Sequence, residues 1–254
     1  MLISRRTFML GVLGAGCVLS SRPCFASIAQ GIVAPLTDDQ LNASFAGLCA
    51  GAGQLLAGRL SPNDLQAALT KARVLHARLL PLPDIGGPDN LVYSSFVVGP
   101  QYVALYKALS PYGVTAKEVG KLVYDLAAHS YAQQAPTLKA NGERLFSPGY
   151  YAILRAWAER SRRKRYPMDW VQTVFRGDGT DYDLGIDYTE CGLMKYFAAQ
   201  GVPELAAYPC YVDFPASRAE GTGLYRTTTL AWGGEVCNFR YRKGRAVTQG
   251  WDKA

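Results

Sequence analysis

The period of the apolar residues changes near residue 165, and that change limits the fold more than any other feature. From residue 37 to about 165 the apolar side chains recur at helical spacing. After that point "MDWVQTVFRG" and "YDLGIDYTEC" alternate apolar with polar, and so do "LYRTTTLAW" and "EVCNFRYR". "DGTD" separates the first pair and "GG" the second, so each pair reads as a hairpin. Helices followed by two hairpins make an α+β fold: a helical half, then an antiparallel sheet of two hairpins with a helical crossover between them. The expected boundaries are a single domain over residues 27–254, helical over 37–165 and sheet-forming over 166–243.

The helical half carries its own punctuation. Thr37 and Asp38 are N-cap types ahead of Leu41, Phe45, Leu48 and Leu55. Ser61 followed by Pro62 opens a second helix with a stripe of Leu65, Leu69, Ala72, Leu75 and Leu79. A third helix is expected over 94–109. Thr115 with Glu118 forms a capping box for a fourth, over 115–134. Ser147-Pro148 starts a fifth, which closes in the basic run 161–165, where cations suit the helix C-terminus. Between the hairpins, a short helix over 193–200 stops at Gly201, and "PCYVDFPASRA" is helical but irregular at Pro215. The tail after Gly244 is expected to be loose. His76 is expected to be solvated and His129 half-buried. The tyrosines at 93, 102, 106, 124, 150 and 151 are expected in the core.

The first residues, "MLISRRTFMLGVLGAGCVLSSRPCFAS", read as an export signal. Arg5 and Arg6 stand in an S-R-R-x-F context. The apolar run from Met9 to Leu19 is shorter than the roughly 20 residues that span a bilayer. Cys24 and Ala26 put small residues at a cleavage site after Ala26. The expectation is transit through the twin-arginine translocation machinery to the periplasm or another extracytoplasmic space, with no stable membrane anchor. Loss of Arg5, Arg6 and Arg22, with no acid among residues 1–26, lowers the formal charge from +7 to +4. So mild a basicity gives no ground for a nucleic-acid partner. The six cysteines fall to four, Cys49, Cys191, Cys210 and Cys237, in a compartment where disulfides persist. Their long spacings disfavour zinc, and no cofactor is called for.

The run E-C-G-L-M-K-Y, then G-V-P-E-L, P-C-Y-V-D-F and Y-R-T-T-T-L-A-W-G-G-E-V-C-N-F-R-Y, over about residues 165–243, resembles the L-2-amino-thiazoline-4-carboxylic acid hydrolase family. That family shows a cysteine after a strand, a C-x-x-D element and a terminal C-D-F-R. The resemblance implies an α+β fold that opens a small cyclic amidine to N-carbamoyl-cysteine, described as cleavage of a C–N bond. It also implies Cys191, Cys210, Asp213 and Cys237 as site residues. This chain departs at Asn238, where the family pattern has Asp, and in carrying an export signal.

Read on their own, the same residues give a consistent picture with alternatives left open. Ring opening needs a nucleophile and a proton acceptor, and thiols are the strongest nucleophiles here. Cys210 and Asp213 are three apart and share a face if helical. Asp213 would take a proton but raises the pKa of a neighbouring thiol, so activation calls for a cation. Arg226 and Arg240 are the candidates, either for that or for holding a substrate carboxylate. Structural cysteines, a disulfide, a metal site and a non-enzymatic ligand-binding domain stand beside the hydrolase reading.

Overall fold

The computed structural model describes residues 36–87 and 90–251, so the expected signal over 1–26 lies outside the described residues. Six helices form the first part: α1 (Asp38–Leu55), α2 (Pro62–Arg78), the short α3 (Tyr93–Phe96), α4 (Val98–Leu109), α5 (Ala116–Leu145) and α6 (Pro148–Ser161). Four of these starts, those of α1, α2, α5 and α6, are the ones the capping residues announce, while the single helix expected over 94–109 is divided into α3 and α4, which have no side-chain cap. Thr37 and Gln40 close a capping box on α1, Thr115 and Glu118 close one on α5, and the Ser61 and Ser147 hydroxyls accept N–H bonds ahead of Pro62 and Pro148. Helix α5 runs past the expected end at 134 and through Pro136 to Leu145.

The sheet follows. Strands β1 (Val171–Arg176) and β2 (Leu184–Glu190) pair antiparallel as the first hairpin. Helix α7 (Gly192–Ala199), two 3-10 turns (Pro203–Ala207 and Pro209–Val212) and α8 (Asp213–Glu220) form the crossover. Strands β3 (Leu224–Tyr225) and β4 (Cys237–Tyr241) complete a four-stranded sheet of order β1-β2-β4-β3. The α+β architecture is therefore the one expected from the change of period.

The second hairpin differs in detail. Only Leu224 and Tyr225 pair with β4, and residues 230–232 form a 3-10 turn instead of a strand. Asn238 Oδ1 accepts the N–H groups of Thr227 and Thr228, both at 2.9 Å, while Asn238 Nδ2 donates to the Thr227 hydroxyl at 2.6 Å. A side chain thus takes the backbone donors that a longer ladder would have used. An aspartate at 238 would accept the same two N–H groups but not donate, which makes the departure from the family pattern a matter of loop structure.

Two further expectations are corrected. His76 is buried at 1% exposure, stacked on Phe45 at 4.2 Å between ring centroids, with Nδ1 2.9 Å from Asn42 Oδ1. It continues the buried face of Leu69 and Ala72, which the helical period turns inward against α1. The tail after Gly244 is pinned, not loose. Arg245 donates to the carbonyls of Gly223 and Arg240. Trp251 packs on Tyr208 and Tyr211, 5.8 and 5.0 Å between ring centroids.

One face of the sheet is buried. On β4, Cys237, Phe239 and Tyr241 point inward, opposite Tyr188, Ile186 and Leu184 of β2. Helix α8 lies along α5 so closely that a Cβ at Gly142 would overlap the Glu220 carbonyl oxygen. Phe96 bridges the halves, edge-on to Trp170 and Tyr196 at 5.9 and 5.3 Å. No helix among the described residues is long and apolar enough to cross a membrane.

Candidate functional site

The inward face of the sheet, the crossover and helices α4 and α5 line a half-open cavity of about 110 Å3. Each part delivers its residues for a local reason. Strand β2 ends at Glu190, and Cys191 becomes the N-cap of α7 in extended conformation. Cys210 sits in the 3-10 turn that runs directly into α8, so Cys210 and Asp213 fall on one face. Alternation along β4 turns Cys237 inward. All four of these residues line the cavity, with Tyr102 of α4, Trp170, Tyr188 and Glu220 around them.

Arg226 is the buried cation beside this group. Its Nη1 donates to Asp213 Oδ2 at 2.8 Å and its Nη2 to the Cys210 carbonyl at 2.9 Å. The guanidinium lies over the rings of Phe214 and Phe239, 5.0 and 4.7 Å from their centroids. Gln249 from the tail holds its backbone, accepting from the Arg226 N–H at 2.9 Å and donating to the Arg226 carbonyl at 2.6 Å. The Arg226 side chain is 4% exposed, whereas that of Asp213 is 38% exposed. Asp213 lines the cavity, so its free surface opens onto that space.

Loss of solvent dominates the ionisation of every acid in this group. Desolvation raises the Asp213 carboxyl above its usual 3.8, with Arg226 opposing the rise. It pushes the Cys210 thiol well above 9.0, against the pull of Arg226 and helped by Asp213. It lifts Cys191 to about 11, opposed by the N–H groups of Met194 and Leu193 and by the Trp170 side chain. Cys237 is raised by the same cause, although the Leu230 N–H donates to its sulfur at 3.2 Å. All three sulfurs are thiols at neutral pH. No thiol among the described residues is in a disulfide.

The structure brings Cys191, Cys210, Asp213 and Cys237 together and separates the two arginines. Arg240 is on the outer face of the sheet, paired with Asp187 at 2.6 Å, because it lies three positions, an odd offset, from Cys237. Arg226 does touch Asp213, yet it stands behind the carboxylate and does not line the cavity. Two of its N–H groups go to protein acceptors and its side chain is 4% exposed, so its contact with the site is through Asp213. Glu190 points away from the cavity to Lys164 and Lys195. His129 is half-buried, 2.9 Å from Gln133. Cys49 is buried in α1, apart from the other thiols.

Several lining residues were not anticipated as site residues. Tyr188 could have been found from the alternation of β2, and Trp170 from its place at the start of β1. Tyr102 gives no signal beyond helical spacing. It is 1% exposed and lines the cavity, and its buried hydroxyl has no hydrogen-bond partner. Among the described residues no group of three or more His, Cys, Asp or Glu has an arrangement that would hold a metal ion.

The profile of the L-2-amino-thiazoline-4-carboxylic acid hydrolases matches residues 93–241. This chain belongs to the L-2-amino-thiazoline-4-carboxylic acid hydrolase family. The family match begins at α3 and ends with β4, so it takes in most of the helical half as well as the sheet, well beyond the stretch that carried the resemblance. It contains every lining residue named above. Helices α1 and α2 and the pinned tail lie outside it. No curated protein and no solved structure matches the chain.

Proposed function

We propose that this member of the hydrolase family opens small cyclic amidines or amide-like rings, with Asp213 as the proton acceptor and Cys210 as the attacking group. The observation that carries the proposal is the meeting of Asp213 with three sulfurs in one cavity. Cys210 Sγ adds to the electrophilic ring carbon while its proton passes to Asp213. The tetrahedral adduct collapses with loss of a ring bond, and the leaving atom takes the proton back from Asp213. Water, giving its proton to the same carboxylate, then releases the open-chain product and restores the thiol. Cys191 and Cys237 flank the reacting carbon as neutral walls. Arg226 keeps Asp213 aimed and ionised.

The bond that breaks follows from the product. An N-carbamoyl thiol keeps the ring nitrogen on the carbamoyl carbon, so a thiazoline opens at carbon–sulfur. Carbon–nitrogen cleavage belongs to amide-like rings.

The raised thiols favour a second reading of the first step, in which Asp213 activates a water molecule and Cys210 stays protonated. Incubating the purified protein with the thiazoline acid and related cyclic amidines, followed by rapid quenching and mass spectrometry, separates the two. Mass added to Cys210 during turnover marks the thiol route; turnover that survives Cys210→Ser marks the water route. On both routes Asp213→Asn lowers the rate by about a hundredfold or more. Activity surviving in both variants removes the pair from the mechanism. Binding without turnover points to a ligand-binding domain.

We also infer export, on the strength of Arg5-Arg6 in S-R-R-x-F context and the apolar run behind it. Replacing both arginines by lysine in the full chain is expected to hold the protein in the cytoplasm. Equal amounts outside it with either sequence would overturn the inference.

A further inference from the structure

The polar groups that line the cavity are carboxylates, hydroxyls and thiols. Asp213, Glu220, Ser95 and Ser217 face it along with the three cysteines, and no Arg, Lys or His among the described residues does so. Past residue 26, the undescribed stretches 27–35, 88–89 and 252–254 add a single cation to the sequence, Lys253. The nearest fixed cation is Arg226. Its Nη1 and Nη2 are given to Asp213 Oδ2 and the Cys210 carbonyl, it lies over two phenyl rings, and it is closed off from the cavity.

The Asp213–Arg226 pair is therefore an oriented dipole. Its negative end opens on the cavity and its positive end is turned into the protein. A ligand carboxylate in this space would lose its hydration, face the negative end and find no lining cation, an arrangement that strongly disfavours binding. An amidinium meets the opposite situation. It presents N–H donors to an acceptor-only carboxylate held in place by Arg226.

We infer that the cavity of this chain takes a monocationic cyclic amidine without a carboxylate in preference to the carboxylate-bearing ring for which the family is named. The inference rests on the proposed hydrolase reading only in the choice of ring, because the preference is one of binding. The three thiols and Tyr102 supply a soft, neutral surround for a ring carrying sulfur.

Isothermal calorimetry on the purified full chain tests it with two probes that differ by one group, 2-amino-2-thiazoline and 2-amino-2-thiazoline-4-carboxylate. The monocation is expected to bind at least tenfold more tightly, and Asp213→Asn to remove most of that difference. Equal or tighter binding of the carboxylate form by the unaltered protein overturns the inference, a result that does not depend on whether the Asp213 variant folds. A parallel assay for ring opening keeps the two readings apart. Preferential binding of the monocation without ring opening leaves this inference standing and removes the hydrolase. Ring opening with no preference for the monocation does the reverse. If neither probe binds, both readings fall.

Discussion

The two faces of the sheet carry the same device in two settings. On the inner face, Arg226 pairs with Asp213 at 2.8 Å and lies over Phe214 and Phe239. On the outer face, Arg240 pairs with Asp187 at 2.6 Å and lies over Phe175 and Tyr182, 4.9 and 5.3 Å from their centroids. The chemistry is identical and the surroundings are not. Inside, the guanidinium is 4% exposed and the carboxylate, 38% exposed, opens on the cavity; outside, both partners keep about a quarter of their surface in solvent, 21% and 26%. Solvent screening makes the outer pair a stabilising ornament of the surface, whereas desolvation makes the inner pair a fixed dipole with consequences for the site. A pattern of residue types does not distinguish the two; the face of the sheet does.

The strongest way to break this comparison is to remove each arginine in turn. Arg226→Ala removes a buried guanidinium that packs on two rings and leaves Asp213 without its counter-ion, and should lower the unfolding free energy by about 2–3 kcal/mol, read from urea titration. A loss below about 1 kcal/mol would mean that water reaches the carboxylate in the folded protein.

His76 sharpens the comparison as a buried ionisable group with no counter-ion at all. Burial lowers its pKa from 6.5 to about 4. The folded state thus binds fewer protons than the unfolded state between those values. The stability this contributes is present above pH 6.5 and is lost as pH falls towards 4, about 3 kcal/mol in all. His76→Gln should flatten the fall in unfolding free energy between pH 7 and 4. Parallel curves for the two proteins would place the imidazole in contact with solvent.

The smallest effect belongs to the outer face. Arg240→Ala should lower stability by about 1 kcal/mol or less, with ring opening unchanged, and the loss should shrink as salt is added. A loss matching that of Arg226→Ala would erase the distinction between the faces.

Much of this architecture is legible in the chain itself. The capping boxes at Thr37 and Thr115, the Ser-Pro starts, the first hairpin and the stop at Gly201 all depend on neighbours a few residues away, and such signals survive without a fold. The three sulfurs and Asp213 were grouped through the family motif, since residues 191, 210 and 237 have no local reason to meet. Arg240 could have been excluded by parity along its strand. The burial of His76 could have been seen by extending the period from Leu69 and Ala72. The pinning of the tail was not legible, because it depends on Trp251 reaching tyrosines that precede it by some 40 residues.

The sequence alone determined where the capped helices begin and where the first hairpin lies, because periodicity and capping act within one or two turns of chain. The tertiary structure alone decided which arginine meets Asp213, what lines the cavity and how strongly its acids are held from ionising. Those properties depend on which side chains lose water together, and that is fixed only when elements far apart in sequence close on one another.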